Sequence, residues 1–147
     1  IKAFTKFYVL KKGNKTDFKE KMYRFLPYVN IEKDLPEFWA SHKNNIKDWY
    51  YKTQREDDVI ISASPEFLLE PICKELGIKY LMASKVDMKT GKYEGINCHG
   101  KEKVRRFYEM FPNGKIEDFY SDSYSDSPLA EISKKAFLVK GNELKDW

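Results

Sequence analysis

Two hydrophobic rhythms divide the chain. Up to about residue 36 the apolar positions follow helical spacing, with Phe18, Met22, Phe25, Leu26 and Val29 on one face. Thr16 suits an N-cap there, and Asp17 and Glu20 place negative charge in the first turn. Pro27 predicts a stop or kink at Leu26. A second helix is predicted from Asp34-Leu35-Pro36, carrying Phe38, Trp39, Ile46, Trp49 and Tyr50, and it ends in the polar break Gln54–Asp58.

From residue 59 the rhythm changes. Val59-Ile60-Ile61 is a continuous β-branched run, the pattern of a strand buried on both faces. Ser64 and Pro65 read as the N-cap and first position of a helix whose stripe is Leu68, Leu69, Ile72, Cys73 and Leu76, stopped by Gly77. Ile78–Ala83 predicts a second strand, and 84–97 a small hairpin. Gly100 opens a helix with Val104, Phe107, Tyr108 and Phe111 on one face. Ile116–Tyr120 predicts a strand, Ser127–Ile132 a short helix, and Ala136–Val139 a last strand. Strands alternating with helices predict an α/β fold: a Rossmann-like parallel sheet with helices on both faces. Ligands of such sheets sit beyond the carboxyl ends of the strands.

Composition narrows the classes. The 147 residues suffice for one domain with a real core, and 16% aromatics exclude a disordered chain. No apolar run is long enough to span a bilayer, so no membrane partner is expected. A net charge of +4, with Lys and Glu intermixed, does not mark a nucleic-acid binder. The basic and aromatic stretch 43–52 is read the same way: Ile46, Trp49 and Tyr50 share a helical face, with lysines outside. Cys73 and Cys98 form neither a disulfide framework nor a zinc site. They fit a cytoplasmic location, as does the lack of a signal peptide. The chain starts with Ile1 rather than Met, which predicts processing or a fragment.

Three polar groups stand at the expected strand ends. Ser62 follows the first strand and fits an anion site at the next helix N-terminus, or an ordinary strand-to-helix turn capped by Ser64. Asp122 and Asp126 follow the third strand and suit Mg²⁺, or a solvated turn with Asp126 as a cap. Lys101 and Lys103 open a helix, where cations oppose the dipole. They serve a bound anion or simply line the surface.

In order, Val59-Ile60-Ile61-Ser62-Ala63-Ser64-Pro65-Glu66, Gly100-Lys101-Glu102-Lys103-Val104 and Phe119-Tyr120-Ser121-Asp122-Ser123-Tyr124-Ser125-Asp126 resemble motifs two, three and four of the haloacid dehalogenase superfamily. The branch they resemble is phosphoserine-phosphatase-like. The resemblance implies residues 1–36 as a helical cap segment and 37–147 as the α/β core. It implies an Mg²⁺-dependent phosphatase acting through an aspartyl-phosphate on a small phosphorylated metabolite. By motif, Ser62 and the Ala63 amide would bind phosphoryl oxygens, Lys101 or its rival Lys103 would neutralise them, and Asp122 and Asp126 would serve the metal. Arg24 is a possible substrate contact. The family's first motif, DxDx[TV], does not occur between Ile1 and Asp58, and its nucleophile and central strand go with it. The expectation is therefore an N-terminally truncated phosphatase, inactive as this chain alone. The alternative is a non-catalytic phosphate-binding or scaffolding module of the same fold. Oligomeric state is left open.

Overall fold

The computed structural model describes residues 15–147; the expectations for Phe4, Phe7, Tyr8 and the rest of 1–14 lie outside the described residues. Three helices lead. The first, α1, is Lys15–Tyr23. Thr16 sits inside its first turn rather than capping it, and its hydroxyl accepts from Asn97 Nδ2 at 3.2 Å. Pro27 falls in a single 3₁₀ turn, Leu26–Tyr28, which buries Leu26. Next comes α2, Ile31–His42, capped by the Asn30 side chain, which accepts from the Lys33 amide. It starts earlier than the sequence predicts and runs through residue 36. The predicted single helix to Tyr50 is broken by a 3₁₀ turn at Lys43–Asn45, and α3 is Asp48–Thr53. Asn44 and Asn45 account for the break, since their amides compete with helical hydrogen bonds.

β1 is Val59–Pro65 and pairs in parallel with β2, Tyr80–Ser84, with Val59 opposite Tyr80. β1 runs further than predicted. Ser64 is strand, not an N-cap, and α4 (Glu66–Glu75) starts from an extended Pro65 with no side-chain cap. Gly77 stops it with φ +71, which glycine adopts without strain. The predicted hairpin is reduced to one bridge, Val86 to Tyr93. α5 is Lys101–Met110. β3 is Ile116–Ser121, and a 3₁₀ turn (Tyr124–Asp126) leads into α6, Ser127–Ala130. β4, Ser133–Lys140, pairs in parallel with β3. β5, Glu143–Asp146, folds back antiparallel to β4. Its polar Glu-Leu-Lys-Asp sequence gives no strand pattern, so the sequence does not predict it.

The α/β character with parallel strands agrees with the sequence reading. The core joins Ile72 and Cys73 of α4, Met82 and Ala83 of β2, Phe107 of α5, Leu129 of α6 and Leu138 of β4. One difference positions the site. β1–β2 and β3–β4–β5 are separate sheets. Val59, Ile60 and Ile61 are therefore only half-buried, where the sequence predicts full burial.

Candidate active site

β1 and β3 each pair with one neighbour, and their other edges border one cavity of about 540 Å³. Four of the residues singled out from sequence line it: Ser62, Lys103, Asp122 and Asp126. Lys101 and Ala63 do not. The two lysines separate because residues two apart on a helix point about 200° apart. Lys101 is exposed, whereas Lys103 is 6% exposed and faces inward.

Lys103 Nζ lies 2.7 Å from Asp126 Oδ1. The second carboxylate oxygen of Asp126 accepts from Ser121 Oγ at 2.9 Å. Asp126 occupies the N-cap position of α6 but makes no capping bond there. A buried ammonium needs a charged partner, and the helix amides lose that competition. The rest of the loop is a serine network. Ser121 Oγ accepts from the Ser123 amide, and the Ser123 side chain accepts from the Ser125 amide. Asp122 stands exposed at the rim, without an ion-pair or hydrogen-bond partner among the described residues.

On the opposite wall, Ser62 Oγ accepts from the Ser64 amide at 3.1 Å. Its hydroxyl proton makes no bond among the described residues. Sequence reasoning missed two features nearby. Lys19 Nζ of α1 donates to the Ala63 carbonyl at 2.7 Å; nothing in the sequence pattern singles out Lys19. Trp49 stacks on Tyr120 at 5.0 Å, which turns the aromatic end of α3 onto the cavity wall. Burial, then the Asp58 charge, pushes the Tyr50 hydroxyl up to about 12. Arg24, just past the end of α1, is exposed.

A carboxylate without a partner beyond a strand end is the kind of ligand a hard cation takes. Magnesium takes one or two protein carboxylates and fills its remaining positions with water and substrate oxygens. Asp122 offers an uncommitted carboxylate, while both oxygens of Asp126 are engaged by Lys103 and Ser121. Among the described residues no group of three His, Cys, Asp or Glu could hold a metal ion. Burial raises both cysteine thiols above their ordinary range, so neither supplies a ready thiolate. Nor is any helix among the described residues long and apolar enough to cross a membrane.

Comparison with known proteins gives a consistent result. A probable phosphatase of Mycobacterium tuberculosis is 32% identical over 96 residues, 60% of this chain and 33% of that protein. Protein CicA of Caulobacter vibrioides is 31% identical over 81 residues, 51% of this chain and 36% of that protein. The chain thus spans about a third of the length of these curated relatives. A crystal structure of a protein of unknown function from Bordetella pertussis Tohama I superposes with a TM-score of 0.64 at 19% identity, over 92% of this chain and 70% of that one. The family model for haloacid dehalogenase-like hydrolases matches residues 3–131, and the chain belongs to that family.

Proposed function

We propose that this chain forms the phosphate- and metal-binding part of an Mg²⁺-dependent phosphomonoester hydrolase. The nucleophilic carboxylate comes from a further strand, seated between β1 and β3. The observation that carries the reading is the buried Lys103–Asp126 pair, in one cavity with Ser62 and the uncommitted Asp122. The split sheet supports the strand, because β1 and β3, each paired in parallel on one side, present their unpaired edges to the same space. The greater length of the relatives supports a further segment.

In this mechanism Ser62 Oγ donates to the phosphoryl oxygens; the Ala63 amide, off the cavity lining, is given no part. Lys103, rather than Lys101, neutralises their charge. Its alignment is held by Asp126, which is held in turn by Ser121. Asp122 ligates the metal, and Asp126 positions groups around it. Bound Mg²⁺ supplies positive charge against the developing phosphoryl charge. The carboxylate attacks phosphorus and the ester P–O bond breaks, the departing oxygen taking a proton from water to leave as the alcohol; water then hydrolyses the acyl phosphate, releasing inorganic phosphate and restoring the carboxylate. The substrate class is a small phosphorylated metabolite.

The test uses the protein from its complete reading frame, para-nitrophenyl phosphate and an Mg²⁺ titration. Turnover should require Mg²⁺. Asp122→Asn should lower kcat/KM by about 10²-fold and shift the Mg²⁺ requirement upward. An unchanged Mg²⁺ profile in Asp122→Asn would reject the metal assignment. Phosphate binding without turnover by the complete protein would favour a non-catalytic binding module instead.

A further inference from the structure

We infer that Lys19, on the helical segment outside the cavity, is a positioning residue that sets the donor strength and direction of the Ser62 hydroxyl. The inference rests on the phosphoryl-binding role of Ser62 proposed above.

The geometry is a chain of two hydrogen bonds through one peptide group. Lys19 Nζ donates to the Ala63 carbonyl at 2.7 Å. The amide nitrogen of the same peptide belongs to Ser64, and it donates to Ser62 Oγ at 3.1 Å. No described peptide bond is cis, so the carbonyl and N–H of this planar unit point in opposite directions. Fixing the carbonyl toward α1 therefore fixes the N–H toward Ser62. That N–H occupies one lone pair of the hydroxyl, and the hydroxyl proton must turn away from it. The open direction is the cavity that Ser62 lines. Hydrogen bonds in series also polarise one another, by about 10–30% per bond. A full positive charge at the head of the series makes the Ser64 N–H a stronger donor and Ser62 Oγ–H a stronger donor in turn.

A simpler role, mooring α1 to the core, has other residues to serve it. Asn97 Nδ2 donates to Thr16 Oγ1, and the Tyr93 amide donates to the Glu20 carboxylate at 3.1 Å. Tyr23 packs against Tyr93 with ring centres 6.1 Å apart. These contacts fix α1 at both ends of its inner face without Lys19.

A double-mutant cycle in the complete protein separates the roles. The readouts are kcat/KM for para-nitrophenyl phosphate and the inhibition constant of inorganic phosphate, both at saturating Mg²⁺. Ser62→Ala should weaken both by about tenfold, the loss of one bond to a charged group. Lys19→Met should weaken both by about threefold in the wild-type background, within the range of one net hydrogen bond. In the Ser62→Ala background Lys19→Met should change neither; in the wild-type background Lys19→Arg should keep the wild-type values. If Ser62→Ala changes nothing, the phosphate reading of the cavity falls, and this inference with it. If Ser62→Ala weakens binding but Lys19→Met costs the same factor in both backgrounds, only the inference falls, and Lys19 acts by docking the helix. Should Lys19→Met not fold, Lys19→Gln runs the same cycle, removing the charge while keeping a donor.

Discussion

The C-terminal half of β1 and the loop after β3 face each other across one cavity, yet they are held by different parts of the molecule. The β3 loop is held from within the core. Lys103 of α5 pins Asp126, Ser121 pins its other oxygen, and the loop serines bind each other's amides. The end of β1 is held from outside the core. Its Ala63 carbonyl is taken by Lys19 of α1, which reaches it across 44 residues of sequence. One wall is therefore set by the core fold alone. The geometry of the other depends on where α1 sits, and α1 lies in the segment that the resemblance assigns to the cap.

The strongest break in this comparison comes from the charged side. The side chains of Lys103 and Asp126 are 8% and 13% exposed. Lys103→Met leaves the Asp126 carboxylate buried without its cation. It should cost about 3–5 kcal/mol of folding stability, the usual penalty for removing one partner of a buried pair. Lys101→Met, on the exposed side of the same turn, should stay within about 0.5 kcal/mol of wild type. Urea denaturation measures both. Equal effects would mean that the Lys103–Asp126 contact is not the anchor of the β3 loop.

A smaller break targets the other wall through the mooring of α1. Asn97 is buried, accepts from Ser84 Oγ at 3.0 Å and donates to Thr16. Asn97→Ala should cost about 1–3 kcal/mol, because it leaves the buried Ser84 hydroxyl without its acceptor. Its local signature should be faster amide hydrogen exchange in 15–23, with exchange in 121–126 unchanged. Equal acceleration in both segments would show that the two walls do not have separate supports.

How far the sequence reached follows the same division. The strands β1 to β4 were legible because their apolar runs are local patterns read by period alone. Asp122 and Asp126 were legible as polar groups past a strand end; the same rule singled out Ser62, but β1 runs on to Pro65 and Ser62 sits within the strand. The choice between Lys101 and Lys103 was not, because helical phase at a first turn is set by where Gly100 lets the helix begin. Asp126 looked like a cap because Ser127-Pro128 follows it; only the fold brings Lys103 close enough to displace that role. Lys19 was invisible, since its partner is a backbone carbonyl and carbonyls carry no sequence signature. β5 was missed because all four of its residues are exposed, so no buried position marks it in the sequence.

The finest probe asks whether the charged wall is anchored as independently as its geometry implies. The helix that aims Lys103 is itself clamped at Glu102. Arg105 donates to that carboxylate from two nitrogens at 2.8 Å each, and Arg106 adds a bond at 2.9 Å. Arg106 also donates to the carbonyls of Ala83 and Ile96, tying α5 to the end of β2. Arg105 first, then Arg106, hold the Glu102 carboxyl down from its ordinary 4.5 to about 2. A carboxylate depressed in the folded state adds stability that is complete above the unfolded value. That stability is lost as pH falls through the folded one. The Glu102 contribution should therefore be intact at neutral pH, begin to fade near pH 4.5 and be gone below about pH 2. Glu102→Gln should be less stable than wild type at pH 7, with the gap closing across that window. Urea melts of both proteins at pH 7, 4.5, 3 and 2 give the difference directly. A gap that stays constant with pH would place the anchor of α5 in its apolar face, where Phe107 is buried, and not in the Glu102 clamp.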